Sequence, residues 1–364
     1  MITLPFKKKS STVALDVGSS LIKVIEIDHS GDVPRIVHFG FSHLLPEAIV
    51  EGEVMDRSLV IDGIRECVEQ AGITNEKVIS AVSGRAVIVK KIVMDKMASE
   101  DAQEAIFWEA EQHVPFDIDD ICLDFQILRE DIGANQMEVL LVAAKKDMVL
   151  DHAGLVREAG LIPLIVDVDS FAVQNSFHLG SGAFDDGGEE ADGEKKVVGL
   201  INIGSDVTNI NIISDSCPLF TRDISVGSNN FIELLRKELG LSYDDGQRLI
   251  SDGPSEEMDE DSIREIIKNG SEDLSLGIER SISFLKAAED AEGIDEVFLS
   301  GGGARIPFLK EILAEKHGMD FSIHNPLEGI DYDEGVFGEY EEELDKIAPL
   351  LTVGIGLALR KAGE

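Results

Sequence analysis

The apolar positions of this chain write one pattern twice. Residues 11–27 (STVALDVGSSLIKVIEI) place Val13, Leu15 and Val17 before a tight turn at Gly18-Ser19-Ser20, then return mostly apolar around Lys23 and Glu26. That is the pattern of a hairpin of two buried or half-buried strands. Residues 196–214 (KVVGLINIGSDVTNINIIS) repeat it: an apolar strand, Asn202, Gly204 and Ser205 about a turn, then Val207, Asn209 and Asn211 alternating with Ile210 and Ile212. A third apolar run, 297–300, enters Gly301-Gly302-Gly303, and Ile306-Pro307 behind it predicts a helix start, because proline suits a first helical position.

Elsewhere the period changes. Residues 32–84 read as further strands and then a helix, with Leu59, Ile61, Ile64 and Val68 near helical spacing and Gly72 as its end. Residues 78–82 and 86–89 read as strands separated by Ser83-Gly84. A helix is predicted from Ser99, with Glu100 and Asp101 suited to the positive end of its dipole, stopping before Pro115; Ile106, Trp108 and Ala110 are expected in a core or against a neighbouring subdomain. A strand at 139–143 and a helix at 146–159, closed by Gly160, complete an α/β unit over 85–165. Residues 223–294 read as largely helical, most clearly at 232–239 and 278–284. The stretch 180–196 (GSGAFDDGGEEADGEKK) has no apolar period and reads as a flexible acidic loop between the halves, and the runs 253–261 and 332–343 as solvated acidic faces.

Composition narrows the function classes. A chain of 364 residues with 43% hydrophobic positions is long enough for two or more domains with real cores. Lys and Arg number 32 against 71 Asp and Glu, a net charge of −39, which argues against nucleic acid as a partner because phosphate backbones need clustered cations. The acidity is spread along the chain and reads as a solvated surface suited to a salty cytoplasm. Three cysteines without metal spacing point to a reducing compartment, and the eight scattered histidines suggest no zinc site. The N-terminal MITLPFKKKSS is basic but too short of apolar residues for a signal peptide, and the apolar run 348–359 is about half a membrane span, so a soluble protein is expected. Attraction of Lys7, Lys8 and Lys9 to anionic lipid, about 1 kcal/mol each, does not anchor a chain this acidic; a disordered tail is the simpler reading.

The turns carry the candidate chemistry. Gly18 permits positive φ, and the hydroxyls of Ser19 and Ser20 with local N–H groups suit a phosphate. Asp16, at a strand end, is placed to face Mg²⁺ through water, since that ion favours oxygen ligands and keeps its hydration shell. No helix follows the turn, so it is neither a P-loop nor a dinucleotide fingerprint. One such hairpin is usually only a hairpin. Two in matching halves, with a glycine turn that lets a base or sugar approach the backbone, are a specific constellation.

That trio resembles the phosphate-1, phosphate-2 and adenosine motifs of the actin, hexokinase and chaperone ATPase superfamily. Within it the chain is similar to the PilM family of type IV pilus assembly, also through MDKMASEDAQEAIFWEAEQHVPF (94–116), DVDSFAV (167–173), ISVGSNNF (224–231) and LLTVGIGLALR (350–360). The resemblance implies an α/β actin-like ATPase fold, two duplicated α/β domains around a nucleotide cleft, with an extra subdomain of the kind FtsA and PilM carry. Residues 1–84, 166–181 and 346–364 would then form the first domain, 85–165 the inserted partner-binding subdomain, 182–196 the acidic loop, 197–222 and 295–345 the second domain, and 223–294 a helical subdomain. By motif position, Asp16, Gly18, Ser19, Ser20 and Lys23 match phosphate-1, and Gly204, Ser205, Asp206 and Thr208 match phosphate-2. Gly301, Gly302, Gly303 and Arg305 match the adenosine motif, Gly227, Asn229 and Asn230 a loop near the ribose, and Arg280-Ser281 a helix facing the base. Asp167 matches the position that orients attacking water, a strand-end cap being the alternative.

The implied cofactors are ATP and Mg²⁺, with Asp16 as the metal-facing carboxylate. The implied partner is the cytoplasmic N-terminal tail of a PilN-like inner-membrane protein, with this chain at the inner face of that membrane. Asn202 stands where relatives usually carry Asp; an amide has no charge to hold hydrated Mg²⁺ or polarise water, so slow or absent hydrolysis is expected. Gly277, and Gly246-Gln247, also depart from the usual Glu and Ala-Glu. Two other functions are open to this fold. A membrane-tethered filament scaffold like FtsA calls for a C-terminal amphipathic helix, which the last residues, RKAGE, do not form; a sugar or metabolite kinase calls for an Asp-containing sugar signature, which is not found.

Overall fold

The computed structural model describes residues 11–50, 52–181, 196–214, 217–287 and 293–360; the basic tail and residues 182–195 of the acidic loop lie outside these, while 180–181, read as the start of that loop, fall in a helix. β1 (Ser11–Val17), β2 (Leu21–Asp28) and β3 (Arg35–His43) form an antiparallel meander. A short hairpin, β4 (Ile49–Val50) with β5 (Glu53–Val54), leads to α1 (Arg57–Gln70), whose start is fixed by Asp56 accepting from the Ser58 and Leu59 N–H groups. β6 (Lys77–Val82) then lies parallel to β1.

The chain next leaves this sheet. β7 (Val87–Asp95), α2 (Ser99–His113), β8 (Ile121–Arg129) and β9 (Gln136–Lys145) build an antiparallel sheet in the order β7-β9-β8. Its core is its own: Ala102, Ile106 and Ala110 of α2 meet Ile92, Met137, Val139 and Leu141. Trp108 was expected in a core or against a neighbouring subdomain and is 72% exposed instead. Inward residues of α2 recur every four positions, so Trp108, two after Ile106, lies on the opposite face. The inserted sheet ends at Lys145. α3 (Lys146–Glu158) packs back on the first domain, and β10 (Ile162–Val168) lies parallel to β6 as an edge of the first sheet.

α4 (Asp169–Ser181) precedes the second copy of the meander, β11 (Val197–Ile203), β12 (Thr208–Ser214) and β13 (Cys217–Ile224). Helices α5 (Ser228–Leu239), α6 (Tyr243–Asp252), α7 (Glu260–Gly270) and α8 (Glu272–Ala287) follow. β14 (Glu296–Ser300) joins parallel to β11. The helix expected at Ile306-Pro307 starts later: Gly302–Arg305 make a 3₁₀ turn, Phe308 caps in the left-handed region at φ 64°, and α9 runs Leu309–His317. β15 (Phe321–Ile323) and β16 (Asp331–Tyr332) each close an edge, giving sheets ordered β10-β6-β1-β2-β3-β16 and β13-β12-β11-β14-β15.

After α10 (Leu344–Ile347), the last helix, α11 (Thr352–Leu359), crosses α4 in the layer between the two sheets. Ile25, Ile27, Val198, Leu200 and Ile213 face them from both sides in one cluster. The crossing depends on Gly356, where an added Cβ would fall 1.7 Å from the Ala172 carbonyl oxygen. Among the described residues no helix is long and apolar enough to cross a membrane.

Candidate functional site

The two meanders present equivalent turns at the ends of β1 and β11. Gly18 N–H donates to Leu21 O at 3.0 Å, and Gly204 N–H donates to Val207 O at 2.9 Å. Beside the second turn, Gly301 adopts φ +79° against Ile203, and Gly303 packs so closely that a Cβ there would meet Ile203 Cγ2 at 2.1 Å. Gly302 between them faces open space. These turns converge on a cleft of about 970 Å³ between the halves, lined by Asp16, Gly18, Ser19, Lys23, Asn202, Gly204, Ser205, Asp206, Gly301 and Gly302. A second cavity of about 350 Å³ beside Arg65, Glu69 and Asn75 gathers no such turns.

The other residues expected there stand behind the cleft or away from it. Ser20 gives its carbonyl to Leu44 N–H at 2.9 Å, and Thr208 Oγ1 donates to Val226 O at 2.7 Å. Ser228 and Asn229 N–H donate to the Gly204 and Ser205 carbonyls, both at 2.9 Å, so the start of α5 braces the Gly204 turn. Gly227 is needed for that approach, since a Cβ would meet Ser205 O at 2.3 Å. Asn229 Nδ2 donates to Asp206 Oδ1 at 2.7 Å and Asn230 Oδ1 accepts from Gly227 N–H at 2.8 Å; both amides shape the turn. Arg305 reaches back to the Ser251 carbonyl, and Arg280 is exposed on α8. Asp167 is buried, accepts from Val168 N–H at 2.8 Å and pairs with Arg360. It is Asp169, two residues on, that lines the cleft from this segment. Strand alternation would give both the same face, but β10 ends at Val168 and the chain turns into α4 between them.

Charge in the cleft is concentrated on a few groups. Lys23 Nζ lies 2.8 Å from Asp16 Oδ2, a contact of charge outside hydrogen-bonding angles. Burial pushes the Asp169 carboxyl up to about 7; nearby Asp16 and Asp223 push the same way, while the Ser83 hydroxyl and Lys23 oppose. Burial also raises Asp223, against hydrogen bonds from Asn209 and Gly84.

Asp223 ends a polar ladder that the sequence did not reveal. Ser300, Asn202, Asn209 and Asp223 are in register on four adjacent strands, β14-β11-β12-β13. Ser300 Oγ donates to Asn202 Oδ1 at 3.3 Å, Asn202 Nδ2 to Asn209 Oδ1 at 3.0 Å, and Asn209 Nδ2 to Asp223 Oδ1 at 2.8 Å. The other Asp223 oxygen accepts from Gly84 N–H of the first domain, so the ladder crosses the cleft. Asn211, one ladder step along β12, donates to the Ser170 carbonyl at 3.1 Å and makes a second crossing. The only sequence trace was the Asn209, Asn211 alternation on an otherwise buried strand.

Among the described residues no three His, Cys, Asp or Glu side chains converge as a metal cage. One or two carboxylates, Asp16 foremost, completed by a ligand's phosphates and water, is the donor set that suits Mg²⁺. The open space at Gly302 and the amide-bearing turns suit a nucleotide.

The same cleft continues between the inserted unit and the β4–β5 hairpin, past Val54, Met55, Arg85, Lys145, Met148 and His152. Lys145 also lies over the Phe116 ring, 5.0 Å from its centroid, tying the Pro115-Phe116 corner to this end.

Comparison with known proteins agrees with this architecture. A solved structure described as the PilM-PilN type IV pilus biogenesis complex is similar at 26% identity and TM-score 0.81, covering 97% of this chain and 99% of that one. The ethanolamine utilization protein EutJ of Carboxydothermus hydrogenoformans is similar at 15% identity and TM-score 0.52, over 98% and 92% of the two chains. MreB 5 of Spiroplasma citri bound to AMPPNP is similar at 13% identity and TM-score 0.51, over 96% and 95%. The fold is the actin-like ATPase fold expected from the motifs. The family described as type IV pilus assembly protein PilM matches residues 14–362, and the chain belongs to that family.

Proposed function

We propose that this chain is a cytoplasmic adaptor of the type IV pilus assembly platform that binds Mg·ATP between its halves and holds the N-terminal tail of a PilN-like membrane protein beside its inserted unit. The observation that carries the reading is similarity along nearly the whole chain to the protein solved as a PilM-PilN complex. The AMPPNP-bound MreB relative supports the nucleotide. The turns at Gly18 and Gly204 offer main-chain N–H groups to phosphates, Lys23 adds charge, and Asp16 faces the hydrated metal. Asp169 takes the water-orienting place first expected of Asp167. Its tendency to stay protonated, and the amide at Asn202, both favour slow turnover. Bound nucleotide then acts mainly to hold the halves together.

The cleft's far end suits an extended segment, held by main-chain bonds and apolar pockets. The acidic surface, at −39 overall, favours approach of a tail with basic residues. A synthetic PilN N-terminal peptide is expected to bind the full chain at micromolar concentration in low salt; failure to bind there removes the reading. Sedimenting filaments with ATP would favour the scaffold alternative, and phosphorylation of a sugar the kinase.

A further inference from the structure

We propose that His152 supplies a hydrogen-bonding ring nitrogen to the main chain of an extended peptide lying in the groove between α3 and the β4–β5 hairpin; this rests on the peptide-docking reading above. His152 lines the cleft from α3, and its Nε2 is buried with no hydrogen-bond partner among the described residues. Buried polar atoms in native proteins are nearly always satisfied, so an unsatisfied one on a side chain that lines a groove points to a bound group, reached by a small turn of the ring. An extended peptide carries an N–H and a C=O at every residue, each needing a partner once water is removed.

The surroundings fix what kind of segment fits. Across from α3, Val50, Val54 and Met55 are 42%, 36% and 66% exposed on the rim, an apolar strip beside two very short strands with open edges. Such an edge and strip suit an extended chain with apolar side chains. The charged groups at this end are Glu53, Arg57, Arg85, Lys145 and Asp151. Arg57 is committed: its guanidinium makes a two-pronged contact with Glu158, at 2.8 Å from Nη2 and 3.1 Å from Nε, and lies over Gly154, where a Cβ would come within 2.9 Å. Burial alone pushes the His152 imidazole down to about 4, with no charged neighbour contributing. At neutral pH the ring is therefore uncharged and matches a neutral main-chain group.

The test uses the full chain and a fluorescein-labelled synthetic PilN N-terminal peptide, followed by anisotropy. His152→Phe keeps the ring and loses the nitrogens, and is expected to weaken binding roughly tenfold; His152→Gln keeps a hydrogen-bonding group and should stay within about threefold. In the wild type, the ¹⁵N resonance of the His152 ring should shift on adding peptide, a signal that a merely structural histidine would not give. Unchanged affinity in folded His152→Phe, or an unmoved resonance at saturating peptide, overturns the assignment. If His152→Phe does not fold, the Gln variant and the resonance decide it. Absence of wild-type binding would instead remove the docking reading on which it rests.

Discussion

At the scale of single residues, the cleft separates positions that tolerate change from those that do not. Gly302→Val projects into open space, whereas Gly301 and Gly303 are pressed against Ile203. Gly302→Val is therefore expected to fold normally and, on the proposed function, to lose ATP affinity by at least tenfold in calorimetry, since the new side chain would enter the space that base or ribose would take. Asn202→Asp tests turnover. On the proposed function, a carboxylate placed there beside Mg²⁺ is expected to raise steady-state phosphate release tenfold or more, as one preorganised electrostatic contact is worth on the order of 3 kcal/mol. The ladder sets a cost. Asn202 donates to Asn209 Oδ1, and a carboxylate would place oxygen against oxygen, destabilising by about 1–3 kcal/mol. That cost should shrink as pH falls, because burial raises Asp223 and a protonated carboxyl there lets Asn209 turn its amide. Equal turnover in two proteins that both bind Mg·ATP would mean that Asn202 does not limit hydrolysis. Residues of the turns were legible in the sequence because turn chemistry is local. Asp169 and Asp223 were not, because one depends on where β10 gives way to α4 and the other on strand register.

At the scale of elements, short-range grammar read well and packing did not. Both hairpins, α1, α2, α3 and the helical run after β13 lie where apolar period and punctuation put them, whereas β13 itself was not expected. Trp108 was misplaced because a large aromatic was assumed to be buried without asking which face Ile106 had already taken. The α4–α11 crossing was also invisible, being a contact between segments far apart in the sequence. It makes a firm prediction. Gly356→Ala drives a methyl group into the Ala172 carbonyl and must part the two helices. Overpacking of this kind costs typically 1–3 kcal/mol, and the buried backbone contact here places it at or above about 3 kcal/mol. The midpoint of urea unfolding should fall accordingly, while Gly72→Ala, at a positive φ of 64° with open space around it, should cost less. Equal losses from the two would refute the close crossing.

At the scale of the whole molecule, acidity, one buried carboxyl and one buried histidine govern how stability responds to solution conditions. A net charge of −39 means mutual repulsion in the folded state, so the melting temperature is expected to rise by several degrees from low to moderate salt, by screening. Acid acts in two directions. Asp169 has a folded pKa raised to about 7; its neutral form is favoured, so its contribution is present at low pH and lost as pH rises through 7. His324 works oppositely. Its ring, against Ser176 at 3.2 Å between α4 and the second sheet, is pushed by burial from an ordinary 6.5 down to about 4. The unfolded chain binds a proton between those values and the folded chain does not. Stability that is fully present above pH 6.5 is therefore lost as pH falls toward 4, by up to about 3 kcal/mol at 1.36 kcal/mol per pH unit. Replacing the ring with one that cannot titrate isolates the term. His324→Phe gives up the Ser176 contact at every pH, but its urea midpoint should decline less than that of the wild type between pH 6.5 and 4.5. Parallel declines in the two proteins would show that His324 takes its proton without resistance and that the contact between α4 and the second sheet is wet.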